Sequence, residues 1–514
     1  MSLNKRRRIQ KMKTAAMRRG AGSMKTCRET GSEQYADGYL TVFLTLTLAV
    51  LLSLILTLVE GAGINAIRMR TETAGNIAVR SVLGEFHREL LRQYDLYFID
   101  ASYGTGGAST ERVQQHLQTY MSKNLESEGG DFAGARLESL VLEAARFAAD
   151  DRAEALREQV YAYMSADPAG SVLSEILTEA DIWQGLLDDG SVWEEQREEA
   201  REDLHEQMRR AKEEAREEYT AEERQQAREE GDNTAEEGIE KMESFRLLPI
   251  LRQVFGDTSG LSGTAADSNV ISKRGIHYGN ALQPANSHGY PRADEALFDL
   301  YIGEKCGCYT VPLEKGKLKY QIEYILTGAA SDQDCLEKAA ERLLLIREAA
   351  NCAYLFTDQQ RMREAELLAA VVSLVLLNPE LREVLKTALL FAWAYLESIR
   401  DLRTLFDGGR VPLLKNSDTW QTSLLGILTP ETSVRGGGAS SGLLYTDYLQ
   451  ALLYLEGSSV KSLRTMDIME MDIRQTEWNG SFRMDWCLDA FSMKADVKSR
   501  LGYEFVLIKS EGYN

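Results

Sequence analysis

Five histidines, six cysteines and one glycine-flanked serine are the residues of this chain that could make or break bonds. Gly438 to Gly442 reads GASSG and fits G-x-S-x-G, with Ser440 as the nucleophile. Such an elbow needs an apolar strand ahead of the serine and, in the usual chain order, a histidine after it. The preceding residues are SVRGGGA, and no histidine follows His288, the others being His87, His116, His205 and His277. The pattern is therefore not read as a Ser-His-Asp site. His277 and His288 share a loop-like segment with Asp267 and Asp294, where a loose metal site is conceivable, but no helix-borne ligand spacing such as H-E-x-x-H supports it. Cys306-Gly307-Cys308 has the residue types of a redox or metal fragment, yet no second ligand pair follows at zinc-site spacing. Cys335, Cys352 and Cys487 are scattered. Small buried residues or one structural bridge fit the cysteines better than a disulfide scaffold, and the pairing stays open. Asn479-Gly480-Ser481 reads as a turn rather than a glycosylation site. There is no Walker A run and no strand-linked G-x-G-x-x-G. No catalytic residue, cofactor or metal ligand is assigned, and an enzyme is not the expectation.

The elements that would position any site begin with a membrane segment. Tyr39 to Val59 is a run of 21 residues without a charge, and a helix of that length spans a hydrocarbon core of ~30 Å. Its Thr41, Thr45, Thr47, Ser53 and Thr57 can return their hydroxyls to carbonyls one turn back, so they cost little in lipid. A cleaved secretory signal is the rival reading, with Gly61 to Gly63 as small residues, but the run is too long and the helical pattern continues beyond it. Residues 1–38 carry ten Lys/Arg against three Asp/Glu, so the formal charge of -20 divides into about +7 there and about -27 downstream. Basic residues before the span and Glu60 after it place the N-terminus in the cytoplasm and the bulk outside. The acidic body repels nucleic-acid phosphates, so no nucleic-acid partner is expected.

Beyond the span, apolar residues at three- and four-residue steps from Ile64 to Leu91 continue the helix as a stalk. YDLYFID (94–100) reads as a short strand, 136–148 as strand or helix, and 151–165 as an amphipathic helix. Residues 191–245 alternate acidic and basic side chains over a thin stripe of Ala200, Leu204, Met208, Ala211, Ala215 and Tyr219. That pattern predicts a solvated helical arm, or else a stripe on which a partner helix docks. Residues 256–292 read as an ordered loop or linker. The stretch 308–328 reads as a β-hairpin turning at Lys315 and Gly316, with Tyr320, Ile322, Tyr324 and Leu326 as its buried face. Helices are expected over 331–350, 358–377, 380–406 and 446–456. Leu367 to Leu377 and Ala388 to Leu396 are too short to span a membrane and read as core helices, a re-entrant hairpin being the alternative. Two long β-prone runs, joined at Ser499 to Gly502, close the chain.

The basic segment followed by GYLTVFLTLTLAVLLSLILTLVEGAGINAIRMRTETAGNIAVRSVLGEFHRELLRQYDLYFID resembles the N-terminal region of TadE/TadG-like pilus-assembly proteins, which are pseudopilin relatives. KLKYQIEYILTG, ERLLLIREAANCAYLFTD, FAWAYLESIRDLRTLFDGGRVPLLKNSDTWQTSL and YTDYLQALLYL resemble an uncharacterised bacterial domain-of-unknown-function family. The resemblance implies a membrane-anchored extracytoplasmic component of a secretion or pilus-like system. Prepilin processing favours Glu five residues after a Gly, and the fifth residue after Gly38 is Phe43, so a fixed anchor fits better than a processed subunit. Gly61, Ala62, Gly63 and Ala66 are the candidate positions for close helix packing at the membrane exit, or mark a flexible junction. Protein partners are expected through the stalk or the charged arm. The expected fold is α+β and predominantly helical. It comprises a basic cytoplasmic tail (1–38), a transmembrane helix (39–60), a stalk helix with a first α+β part (61–190), a charged helical arm (191–245) and an α+β head (246–514) whose antiparallel sheet has packed helices. A ligand-binding module or an enzyme of unknown reaction is the alternative.

Overall fold

The computed structural model describes residues 36–107, 109–126, 134–165, 170–218, 220, 241–280, 292–375, 378–434, 441–500 and 502–513. Most of the basic tail, with Cys27, therefore lies outside the described residues. The apolar run is helical, as its composition dictates, and belongs to helix α1 (Ala36–Leu83). The hydroxyls of Thr45, Thr47 and Thr57 donate to the carbonyls of Val42 (2.9 Å), Phe43 (2.9 Å) and Ser53 (3.0 Å), the local satisfaction that lipid requires. It is the one helix among the described residues long and apolar enough to cross a membrane, and none of its most apolar window is buried. Met1–Ala66 and Ile67–Asn514 are two compact units.

Within the second unit the expected stalk is instead a core helix. Ile67, Ala74, Ala78, Val79 and Val82 are buried against the sheet. A Cβ at Gly75 would collide with Leu507, so glycine there lets the helix approach the strand. Ala74, Gly75 and Ala78 thus serve internal packing. After α2 (Arg88–Tyr94) the predicted strand at 94–100 shrinks to β1 (Ile99–Asp100), because Tyr94 ends the helix and Asp95 turns the chain in the left-handed region. Helix α3 (Glu111–Leu125) buries Val113, Leu117, Met121 and Leu125 on the same side of the sheet as α1.

The sheet is antiparallel throughout. Strand β3 (Cys487–Ser499) is central, flanked by β2 (Ala135–Phe147) and by β4 (Glu504–Gly512), and β1 pairs with its first residues. Phe491, Met493, Ala495 and Val497 point to the α1–α3 side at the period of two that a pleated strand imposes. The C-terminal pair stands where the two β-prone runs predicted. Register shifts at Leu137/Ser139, Leu142/Ala144 and Arg146/Phe147 break the alternation of β2, which is why its sequence could be argued either way.

Helix α4 (Asp150–Ser165) matches expectation except that Asp151, Arg152 and Ala153 are left-handed. The long helix α5 (Gly170–Glu218) leads to a helical stretch at 241–246 and to α6 (Ile250–Phe255). Residues 256–280 are an ordered loop tied down by Ser272, which donates to Asp467. Next come α7 (Arg292–Lys305), α8 (Gln321–Thr327), α9 (Asp332–Leu355), α10 (Gln359–Val375), α11 (Arg382–Phe406), α12 (Tyr445–Leu455) and α13 (Ser458–Arg474). The chain is α+β and mostly helical, as expected.

Two further readings are corrected. The hairpin at 308–328 is a short Cys308–Val311 bridge, a turn and α8. Gln321, Glu323 and Ile325 are buried along with Ile322, Tyr324 and Leu326. Burial on every side erases the alternation on which a strand reading depends. The charged arm, in its described part, is not a solvated spacer. Trp193 packs on Phe356 and Phe391, Leu204 and Ala211 are buried, and Gly190 lies so close to α9 that a Cβ would stand 2.9 Å from the Leu345 carbonyl oxygen. Residues 219 and 221–240 of the arm lie outside the described residues.

Candidate functional site

A cleft of about 710 Å³ opens where α5 meets the 241–255 segment, α9 and α11. The apolar side chains that dock α5 also carry Arg197 inward, onto Glu348 of α9, and the side chains of the pair are 8% and 2% exposed. Arg197 also stands 3.4 Å from Glu194 and 3.7 Å from Glu198. Glu198 takes two more guanidiniums, Arg201 at 2.8 Å and Arg246 at 3.1 Å. Arg246 (4.8 Å) and Arg197 (5.5 Å) both stand over the Tyr395 ring, whose hydroxyl donates to Gln253 at 2.8 Å. Glu337 accepts the Ile250 amide at 2.6 Å at the start of α6. Burial pushes the Glu348 carboxyl up despite Arg197, and burial together with the neighbouring Arg197 pushes Arg246 down. Glu348 Oε1 and Arg197 Nε have no hydrogen-bond partner among the described residues. The arrangement can hold a ligand through charge-assisted hydrogen bonds; it presents no nucleophile.

The residues singled out in the sequence lie elsewhere. Ser440 and His288 are outside the described residues, as is the side chain of Asp294. The His277 amide donates to Asp485 (2.9 Å) and its ring meets the Phe147 ring at 5.2 Å, while Asp267 faces Arg474 at 3.6 Å. Asn479 lies in a turn, as read, and its side-chain oxygen stands 3.2 Å from His87 Nε2. Cys306, Cys308, Cys335, Cys352 and Cys487 are all buried free thiols. Burial pushes Cys335 up to about 11, which leaves it a poor nucleophile at neutral pH. Gly61 and Gly63 have no neighbour that a Cβ would meet.

A second polar cluster gave no signal in the sequence. Glu85 accepts hydrogen bonds from Tyr103 (2.6 Å) and Tyr120 (2.6 Å), and His116 Nδ1 stands 2.9 Å away. Burial alone would raise the Glu85 carboxyl, but the three polar neighbours bring it below the usual range. The cluster ties the end of α1 to α3 and to the 101–107 loop. Arg197, Arg246, Glu348 and Tyr395 were missed because charge alternation conceals which face of a helix is buried. The one available signal was the Leu204–Ala211 stripe, with which Arg197, seven residues before Leu204, lines up.

An α+β, mostly helical protein with, among the described residues, one exposed apolar helix and a charged cleft is what fold and site define. The chain belongs to a family of unknown function (DUF5702), which matches residues 228–499, just over half of the 514. The match takes in β3 but none of the three strands paired with it, so the folded unit is larger than the matched segment. No curated protein and no solved structure matches the chain.

Proposed function

We propose that the protein is a single-pass, membrane-anchored structural or assembly component of a pilus-like or secretion system. Its basic segment lies in the cytoplasm and its bulk lies outside. The observation that carries this reading is the exposure of α1: fifteen large hydrophobic side chains from Tyr39 to Val59 are each more than half exposed. Water penalises such surface at roughly 25 cal/mol per Å², and lipid does not. The excess of Lys/Arg before the span supports the orientation. The TadE/TadG-like resemblance of the region around the span supports the assembly role, and Phe43 favours a fixed anchor. Gly61, Ala62, Gly63 and Ala66 are then the positions at which partner helices approach.

Protease added to intact protoplasts should trim the protein to a small fragment, and full protection of the downstream part would reverse the topology. Gly61→Leu with Gly63→Leu should remove in-membrane crosslinks at normal protein levels. Undiminished crosslinking would leave those residues without a role in assembly.

A further inference from the structure

We infer that the cleft between α5 and α9 binds an organic ammonium cation, a function beyond anchoring or assembly. Six glutamates and three arginines line it, so the wall carries a net charge of about -3 with all groups ionised. All three guanidiniums are already committed, Arg197 to Glu348 and both Arg201 and Arg246 to Glu198. What remains is mostly acceptor capacity. Glu348 Oε1 has no hydrogen-bond partner among the described residues although its side chain is 2% exposed and lines the cleft. Glu341 lines the same cleft and makes no ion pair or hydrogen bond among the described residues. One donor, Arg197 Nε, is also unpartnered, but an anion reaching it would pass the excess carboxylates or break an existing pair.

The geometry favours an organic cation over a metal ion. A metal needs several oxygens converging on one point, and no group of three or more His, Cys, Asp or Glu among the described residues is placed to hold one. An ammonium needs two or three acceptors and apolar walls for its methylenes, which Leu247, Leu248, Leu344 and Leu345 supply. The volume lies within the ~300–1,000 Å³ typical of small-molecule sites.

The test is isothermal titration of the full chain in detergent micelles with 1,5-diaminopentane, with glutarate as the anionic counterpart. The expected result is saturable binding of the diamine, weakened at least about ten-fold in Glu341→Gln and further in Glu348→Gln, with no binding of glutarate. Glu341 is exposed, so its variant keeps the fold and decides the matter if Glu348→Gln lowers the thermal transition. Absence of saturable diamine binding, binding of glutarate instead, or wild-type affinity in Glu341→Gln would each overturn the proposal.

Discussion

Glu323→Gln should remove a pH dependence of stability that the wild-type chain carries. Glu323 is fully buried on α8, where one carboxylate oxygen accepts the Tyr309 amide (2.8 Å) and the Tyr445 hydroxyl (2.7 Å) and the other has no partner. Burial pushes its carboxyl up from 4.5 to about 7, against the pull of those hydrogen bonds. Between these values the folded chain keeps a proton that the unfolded chain has released. Wild-type stability therefore falls as pH rises through that window and levels off, for this group, above about pH 7. A shift of that size corresponds to about 3 kcal/mol. Glutamine keeps the acceptor and cannot ionise; its amide nitrogen replaces an oxygen that already lacked a partner, a cost of about 1–3 kcal/mol that does not vary with pH. Urea unfolding of both proteins, from about pH 4.5 to about pH 8, isolates the term. Asp299 and Glu470, also pushed up to about 7 by burial, cancel in the difference. The variant should gain about 3 kcal/mol on the wild type across the window. Curves that stay parallel would refute the argument that this carboxyl is held above its ordinary range.

Two further outcomes concern the helical core. Arg347 is fully buried and donates to Asp401 (2.9 Å), to Tyr448 (3.0 Å) and to the carbonyls of Pro412 and Leu413; Arg347→Met should cost about 3–5 kcal/mol in the same unfolding assay, and a cost near zero would mean the network is slack. Leu204→Ala should cost about 2–5 kcal/mol if α5 packs as described. A change within about 0.5 kcal/mol would restore the solvated arm.

By itself the sequence determined the features that depend on runs and local periods. An uncharged run from Tyr39 to Val59 is a membrane-length helix whatever surrounds it, because its backbone must be satisfied within the segment. The two β-prone runs of β3 and β4, with Gly502 between them, pair as a hairpin for equally local reasons. Helices α9, α10, α11 and α12 stood close to their predicted bounds. Tertiary structure decided the rest, for two physical reasons. Burial on all sides removes the periodicity that betrays an element, so α8 looked like a strand, and the register shifts of β2 left it ambiguous. A charged helix face carries no mark of what it touches. Arg197 could be recognised as a buried cation only once α9 placed Glu348 against it, 151 residues along the chain. The cleft exists because Gly190, Trp193 and Leu204 dock one helix on another, and packing between distant segments cannot be read from either segment alone.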